Sequence, residues 1–510
     1  MIKINKSNLL FFLSNIIYFF AILFTYIDLR NFKIHSNVYP NQFSLVTYII
    51  IIFFLINLII IYLHEYRNKF KIFNIFIYYL ILSSGVYILN FPLMDELILI
   101  TSSIFFFIQL IKKKFIYDNK NTFFIIILVI LFLQSVVGLY FDYRSIRYFI
   151  IYPCLIIAFL YFASLREVNE SNQVIFFNYI FYGILIYVIY QLFFWFLKFY
   201  IFDMKFFGQR FIGDMQPGYS LSSSGHFDSI HIITGYLILY FITKSESLIK
   251  GTILLLSILA FWIFADARSS LFILILVIIF SFFLFEKKFK FIFIFFIFLI
   301  SFQQTFFENS FNKYLKRAQN ISKDVLTFKK DTVVRNPIYL LENDDYFYKE
   351  KIVPAYRDFG RLSFILGGLN SLKYNGHFII FGCGFYSYYQ CAQEGRIEIY
   401  EKYNIPINQN NSRGFGGNKI RPPAAGTILV ENGLIIILLG FFYYLIFLKK
   451  NIRFFNGKIQ FDSNKILLTF YLISAISVWT IFSNILDIIY IYLFLMPIFR
   501  KYLIKLNSRQ

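Results

Sequence analysis

Residues 252–285 read TILLLSILAFWIFADARSSLFILILVIIFSFFLF, two apolar runs separated by the polar segment FADARSS at residues 264–270. With its flanking residues, each run approaches the roughly 17–25 residues that an α-helix needs to cross a bilayer. A helix satisfies its own backbone hydrogen bonds in hydrocarbon, so such runs are expected to be helical. The stretch therefore predicts two membrane-spanning helices joined by a tight hairpin that carries Asp266 and Arg268.

The whole chain shares the apolar character of this stretch. Of its 510 residues, 59% are hydrophobic and only 15% are charged, and the mean hydropathy is +0.65. A soluble globular domain has roughly 25% charged residues, so the composition excludes a soluble multidomain enzyme. The apolar windows predict an all-α polytopic membrane protein of about 14 spans. These are 9–27, 44–63, 72–90, 96–111, 122–140, 147–164, 173–197, 228–243, 248–265, 270–285, 289–303, 427–448, 465–482 and 485–499.

Lys-dense segments alternate with the other loops and predict the orientation of the spans. Segments such as HEYRNKFK (64–71) and EKKFK (286–290) are the short basic loops expected in the cytoplasm. Both termini are therefore expected to be cytoplasmic. The predicted organisation is transmembrane helices 1–11 in residues 1–303, a large, mainly helical external loop in 304–426, and helices 12–14 with a cytoplasmic tail in 427–510.

The formal net charge of +21 would suggest a nucleic-acid partner on a soluble protein. In a membrane protein, Lys and Arg beside the spans set orientation and bind anionic headgroups. The lipid bilayer is therefore an expected partner, and nucleic acid is not.

The predicted external loops favour Arg, whereas the cytoplasmic loops favour Lys. A guanidinium is planar, permanently charged and bidentate, so it suits diphosphates and carboxylates better than an ammonium group. An anionic ligand on the external side is one interpretation, and solvated loop arginines are the other. Asp266 and Arg268 likewise either mark a turn at the water interface or line a cavity. The external arginines are Arg144, Arg147, Arg210, Arg268, Arg317, Arg335, Arg357, Arg361, Arg396, Arg413 and Arg421.

Four blocks, in chain order, resemble the O-antigen polymerase and ligase superfamily of membrane glycosyltransferases. RFIGDMQPGYSLSSSGHFDSIHIITGYL (210–237) is similar to the family's Arg-x-x-Gly segment, and FADARSSLFILILVII (264–279) to its Ser-Arg-Gly-like hairpin. GRLSFILGGLNSLKYNGHFIIFGCGFYSY (360–388) is similar to its Arg-led helix ending in Gly-x-Gly. The apolar residues of this block recur at helical spacing and predict a helix that packs its leucines; they are Leu362, Ile365, Leu366, Leu369 and Leu372. PAAGTILVENGLIIILLGFFYYLIF (423–447) is similar to the segment that re-enters the membrane with Glu-x-Gly.

The chain departs from the family pattern in two places. Ser269 stands where the family often has Gly, and Ala424-Ala425-Gly426 stand where ligases typically carry a His-Asn pair. The missing histidine favours a polymerase over a ligase.

The resemblance implies a GT-C-like enzyme that transfers a growing glycan from undecaprenyl diphosphate to the non-reducing-end sugar of an incoming lipid-linked repeat unit. The reaction would take place on the periplasmic face of the bacterial inner membrane. Arg210, Arg268 and Arg361 would act at the diphosphates, with Glu431 or Asp266 as the base or as an arginine-orienting partner. Further substrate contacts are expected from Arg147, His377, Arg413 and Arg421.

This scheme requires no metal and no cofactor, and the sequence has no clustered His, Cys and Asp spacing typical of a metal site. The expected partners are the lipid-linked oligosaccharide repeat units and a polysaccharide chain-length regulator. An oligosaccharide ligase would use the same arginines, and a lipid-linked oligosaccharide flippase is the alternative from another class. Glu431 could instead be a carboxylate favoured by a helix N-terminus.

Cys383 and Cys391 lie eight residues apart in the predicted external loop. In an oxidising compartment they could form a disulfide, and two free thiols are the alternative. Cys154 falls inside a predicted span, where a small core residue is expected.

Overall fold

The computed structural model describes the regions of the chain that carry most of its apolar segments. These are residues 6–33, 45–83, 94–112, 122–141, 145–165, 170–196, 227–243, 248–265, 268–284, 366–374, 378–385, 387–392, 394–395, 398, 428–451, 454–455, 458–459, 468, 470–476, 489–491 and 493–495.

Helices dominate the part of the chain that the structure describes. The first ten are α1 (Lys6–Lys33), α2 (Leu45–His64), α3 (Lys69–Leu82), α4 (Met94–Lys112), α5 (Thr122–Phe141), α6 (Ile146–Ala163), α7 (Glu170–Phe196), α8 (Phe227–Thr243), α9 (Leu248–Ala265) and α10 (Arg268–Leu284). They are followed by α11 (Phe378–Phe381), α12 (Tyr388–Cys391), a π-helical turn (Ile428–Asn432) and α13 (Gly433–Asn451). Strands β1 (Phe454–Phe455) and β2 (Lys458–Ile459) form a short antiparallel ladder.

Within the described residues, four segments are long and apolar enough to cross a membrane: Leu45–His64, Met94–Lys112, Ile146–Ala163 and Ser171–Phe193. Several shorter apolar helices accompany them. The predicted class of helical membrane protein therefore agrees with the structure at this coarser level, and the number of spans stays a prediction. The predicted span 289–303 lies outside the described residues, and the last two spans are described only in part.

The predicted spans agree with α1–α10 in position and differ mainly at their ends. Helix α1 continues to Lys33, six residues beyond the predicted limit, because a helix can extend past the hydrocarbon into the interface. Helix α3 ends at Leu82 with Ser83 as its C-cap, whereas the prediction ran to residue 90. Helices α9 and α10 are separated by only two residues, which is the tight connection that the sequence predicts.

Aromatic side chains fill the contacts between the helices. Helix α1 packs on α2, α3 on α7, α6 on both α4 and α5, and α8 on both α9 and α10. The rings of Phe106 and Tyr161 stack with 4.1 Å between their centroids and join α4 to α6. Tyr18, Phe54 and Tyr79 meet edge-on or tilted between α1, α2 and α3. Such rings bury large areas and prefer these geometries, so they favour a fixed helix arrangement.

Helix α2 also has an exposed face, on the side away from these buried contacts. Apart from His64 at its end, its exposed residues are all apolar and recur at helical spacing, as expected of a surface that meets lipid tails. They are Leu45, Val46, Ile49, Ile52, Phe53, Ile56, Ile59, Ile60 and Leu63.

A close helix contact at Gly235 gives a test of this packing. Gly235 lies on α8, and a Cβ there would collide with the Tyr471 hydroxyl and come within 2.7 Å of Ile273 Cγ2. Overpacking of this kind costs about 1–3 kcal/mol. We expect Gly235→Ala to lower the Tm of the purified protein in detergent.

Gly440→Ala is the matched control, because nothing lies within 4 Å of a Cβ at that position on α13. Replacing an open helical glycine with alanine should be neutral or stabilising by up to about 1 kcal/mol. Equal Tm values for the two variants would contradict the described contact between α8 and residues 470–476.

Candidate functional site

One end of the helix bundle carries an arginine–carboxylate pair and two short segments of chain that are not α-helical. We call it the docking end. It is the end at which α4 and α6 begin, at Met94 and Ile146, and at which α5 ends, at Phe141. The Arg147 Nε donates to Glu96 Oε1 between the first turns of α6 and α4. The Glu96 side chain is 5% exposed and that of Arg147 is 26% exposed, so the guanidinium reaches the surface above a buried carboxylate.

Two short pieces of backbone meet at this end. Gly382–Phe385, which we call the docking turn, lies against the π-helical turn Ile428–Asn432, which we call the re-entry turn because it leads into α13. The Cys383 N–H donates to the Val430 carbonyl at 2.8 Å, and the Gly384 N–H donates to the Glu431 carbonyl at 2.9 Å. The two turns therefore satisfy part of each other's backbone hydrogen bonding, which an apolar setting requires.

Gln134 of α5 ties both turns to the helix bundle. Its Nε2 donates to the Phe381 carbonyl at 2.8 Å and to the Asn432 carbonyl at 2.7 Å. The Asn432 Nδ2 donates back to Gln134 Oε1 at 2.8 Å. The Gln134 and Asn432 side chains are both buried, so these hydrogen bonds lie away from solvent.

Glycines allow the docking turn to approach α5 closely. Gly384 has φ +90°, and a Cβ there would lie 2.5 Å from the Gly138 nitrogen and 2.8 Å from the Gln134 carbonyl oxygen. A Cβ on Gly138 would in turn collide with the Phe385 carbonyl oxygen. Gly382 has φ +72°, also in the left-handed region that side chains disfavour. Both sides of the contact therefore depend on the lack of a side chain.

Aromatic contacts and a disulfide complete the docking turn. The Phe385 ring stacks on Tyr148 of α6 with 4.4 Å between centroids, and its centroid lies 5.3 Å from that of Tyr152. Cys383 and Cys391 are joined by a disulfide, and Cys383 is fully buried. Of the two alternatives that the sequence leaves open, the structure has the disulfide. Cys154 is a free cysteine that is only partly buried and packs against the core.

The segment before the docking turn corrects one expectation. Residues 366–371 are helical, but Leu369, which helical spacing placed on the packed face, is 50% exposed. The buried face carries Gly367, Gly368 and Ser371 instead. The reason is a close backbone approach, since a Cβ on Gly395 would collide with the Ser371 nitrogen.

Polar side chains connect the same two segments, around residues 371–374 and 395–398, at the surface. Lys373 Nζ lies 3.0 Å from Glu398 Oε1, and the Tyr374 hydroxyl donates to Glu398 Oε2 at 3.2 Å. The negative charge of Glu398 raises the pKa of the exposed Tyr374 hydroxyl above its ordinary value.

The structure describes three of the predicted site residues. Glu431 lies in the re-entry turn and is 8% exposed. Arg147 is at the same end of the bundle, paired with Glu96. Arg268 is the first residue of α10, where the backbone alone is described. The other predicted site residues lie outside the described part of the chain: Arg210, Asp266, Arg361, His377, Arg413 and Arg421.

Sequence reasoning missed three contributors to this end of the bundle. Gln134 is a lone amide within the apolar run of α5, and a polar side chain inside a span is itself a functional signal. Glu96 falls at the start of a predicted span, where the sequence indicates only a residue at the membrane–water interface. Asn432 follows Glu431 directly and gives no separate signal in the sequence.

The docking end offers a carboxylate and an arginine–carboxylate pair. A buried carboxylate can accept a proton or orient a hydroxyl, and a guanidinium can bind an oxyanion. Within the described residues, no group of three His, Cys, Asp or Glu side chains could hold a metal ion.

Comparison of the chain with protein-family models, with curated proteins and with solved structures gives no match.

The cysteine pairing predicts a simple labelling pattern. The chain has three cysteines, and the structure pairs two of them. In denaturant without reductant, we expect a maleimide to label only Cys154. After reduction it should label all three, as counted by intact-protein mass spectrometry. Labelling of three cysteines before reduction, in protein prepared from membranes with thiols blocked, would contradict the disulfide.

Proposed function

We propose that the protein is a surface-polysaccharide polymerase of the O-antigen type. It transfers a growing glycan from undecaprenyl diphosphate to a sugar hydroxyl at the non-reducing end of an incoming lipid-linked repeat unit. The bond between the anomeric carbon and the diphosphate oxygen breaks, and a bond from that carbon to the acceptor oxygen forms. The acceptor proton passes to a base, and undecaprenyl diphosphate leaves as the anion.

The observation that carries this proposal is the fixed position of Glu431. Its carbonyl accepts a hydrogen bond from the Gly384 N–H, and the preceding Val430 carbonyl accepts one from the Cys383 N–H. Asn432, which follows it, exchanges two hydrogen bonds with Gln134. The carboxylate therefore extends from a backbone that is held on both sides. π-Helical turns are rare and occur frequently at functional sites. A base held in this way can take the acceptor proton without reorganising its own support.

The leaving diphosphate needs positive charge beside it, and arginine is the suited residue. Arg268 begins α10, where helix N–H groups and the helix dipole also favour an anion. Arg210 and Arg361 complete the proposed diphosphate set, with Arg413, Arg421 and His377 as substrate contacts. Arg147 would contact the substrate from the docking end, and Asp266 would orient Arg268.

The disulfide supports an external location for this chemistry. Disulfides form and persist in oxidising compartments, of which the bacterial periplasm is one. Cys383 and Cys391 therefore favour a docking end on the periplasmic side of the inner membrane, and the Lys-dense loops favour termini in the cytoplasm. A chain-length regulator would then act as a partner on the same side.

Arg268→Ala tests the diphosphate assignment. In a deletion strain complemented with wild type, glycan gels should show a ladder. The deletion itself and the Arg268→Ala complement should show single repeats only, with the variant present in membranes at the wild-type level. Arg67→Ala is the matched control, because Arg67 is an exposed arginine in the turn between α2 and α3, and its ladder should be normal.

Each other result of this experiment counts against part of the proposal. An intact ladder with Arg268→Ala would make Arg268 only a charged turn residue. Loss of all surface glycan in the deletion strain would point to a ligase or to an exporter instead of a polymerase.

Glu431→Gln tests the proposed base. Proton transfer by a positioned side chain contributes about 10²–10⁴-fold to a rate, so we expect polymer to fall by at least about a hundredfold. Glu398→Gln is the control, because it removes a solvent-accessible carboxylate from the loop that precedes the re-entry turn. A wild-type ladder with Glu431→Gln would remove Glu431 from the reaction.

A further inference from the structure

Gln134 is the common anchor of the two turns at the docking end. Its hydrogen bonds reach residues 247 and 298 positions away in the chain, Phe381 and Asn432. Phe381 directly precedes the docking turn, and Asn432 directly follows Glu431. One buried amide therefore holds the chain on both sides of the contact in which the Gly384 N–H donates to the Glu431 carbonyl.

The amide group suits this place better than any other side chain of its size. Its NH₂ supplies two donors, one for each carbonyl, and its oxygen accepts from Asn432 Nδ2. Leucine has a similar volume and would leave both carbonyls without their donor. An ionised glutamate would bring negative charge against two carbonyl oxygens. A buried acceptor that loses its donor carries the full cost of its desolvation.

The direction of the Glu431 side chain depends on these ties. The Phe385 ring, next to Gly384, packs on Tyr148 and Tyr152 of α6. The re-entry turn is held to this docking turn, because its Val430 and Glu431 carbonyls accept from the Cys383 and Gly384 N–H groups. A shift of the re-entry turn on α5 would therefore move the carboxylate relative to α6.

We propose that Gln134 is a positioning residue that holds the Glu431 carboxylate where the acceptor hydroxyl is deprotonated. Gln134 does not touch the substrate and acts through the re-entry turn. This role rests on the proposed function, because it assigns a purpose to a fixed Glu431. A misplacement of about 1 Å can cost about a hundredfold in rate, so a tie remote from the substrate can matter to the reaction.

The position of residue 431 can be measured without any activity. In a Cys154→Ala background, Glu431→Cys provides a reporter thiol that the docked turns bury. We expect a membrane-impermeant maleimide to label it at least about tenfold faster when Gln134→Leu is added, because an untied turn opens more often. Gln109→Leu is the matched control, since Gln109 is a buried glutamine on α4 whose Oε1 accepts from the Tyr161 hydroxyl of α6.

A second measurement keeps Glu431 in place and covers the case in which the reporter variant does not fold. The rate at which a membrane-impermeant phosphine reduces the Cys383–Cys391 disulfide reports the docking of Cys383, which is fully buried. Gln134→Leu should raise this rate at least about tenfold, and Gln109→Leu should not change it.

The catalytic part is tested in proteoliposomes supplied with the lipid-linked repeat units that accumulate in the deletion strain. Gln134→Leu should lower kcat by at least about tenfold while KM changes by less than about twofold, because the lipid and diphosphate contacts lie elsewhere. A protein that was merely less stable would lose active molecules in proportion to its loss of folded protein. The rates are therefore normalised to the amount of protein that retains the disulfide.

The outcomes separate this inference from the proposed function. Faster labelling or reduction together with a lower kcat supports it. Unchanged labelling and reduction would overturn the anchoring role, whatever the polymer assay shows. Faster labelling with an unchanged kcat would overturn the positioning role, and it would leave polymerisation itself intact with a base other than Glu431.

Discussion

The docking end depends on how two stretches of backbone that are not α-helical satisfy their polar groups beside an apolar helix bundle. Backbone N–H and C=O groups that leave a helix in this setting must find partners within the protein. The docking turn donates hydrogen bonds from the Cys383 and Gly384 N–H groups to the re-entry turn. The Gln134 amide of α5 donates to the flanking carbonyls of Phe381 and Asn432. The position of Glu431 follows from that set of hydrogen bonds.

The sequence predicts the helical part of this fold well, because span length and hydropathy are local properties. The ends of α2, α5, α8 and α9 lie within two residues of the predicted limits. The docking contacts are not local. Gln134 and Asn432 are 298 positions apart, and Arg147 and Glu96 are 51 positions apart. No periodic pattern connects such residues, so their pairing could not be read from the chain.

Two details of the loop show the same limit at shorter range. Helical spacing placed Leu369 on a packed face, yet backbone contact with Gly395 buries the small-residue face instead. The spacing of Cys383 and Cys391 left their oxidation state open, and the fold around the docking turn brings them together. The candidate site is thus partly predictable: Glu431 and Arg147 come from the sequence, whereas Gln134, Glu96 and Asn432 come from the structure.

A buried carboxylate on a doubly held turn, together with arginines suited to a diphosphate, makes glycan transfer from a lipid carrier the reaction that we propose. The most direct test is reconstitution of the purified protein in liposomes with lipid-linked repeat units and no nucleotide sugar. We predict lipid-linked oligomers of increasing length and the release of one undecaprenyl diphosphate for each bond formed. If the substrate stays as single repeats while the protein carries its disulfide, polymerisation is not its activity.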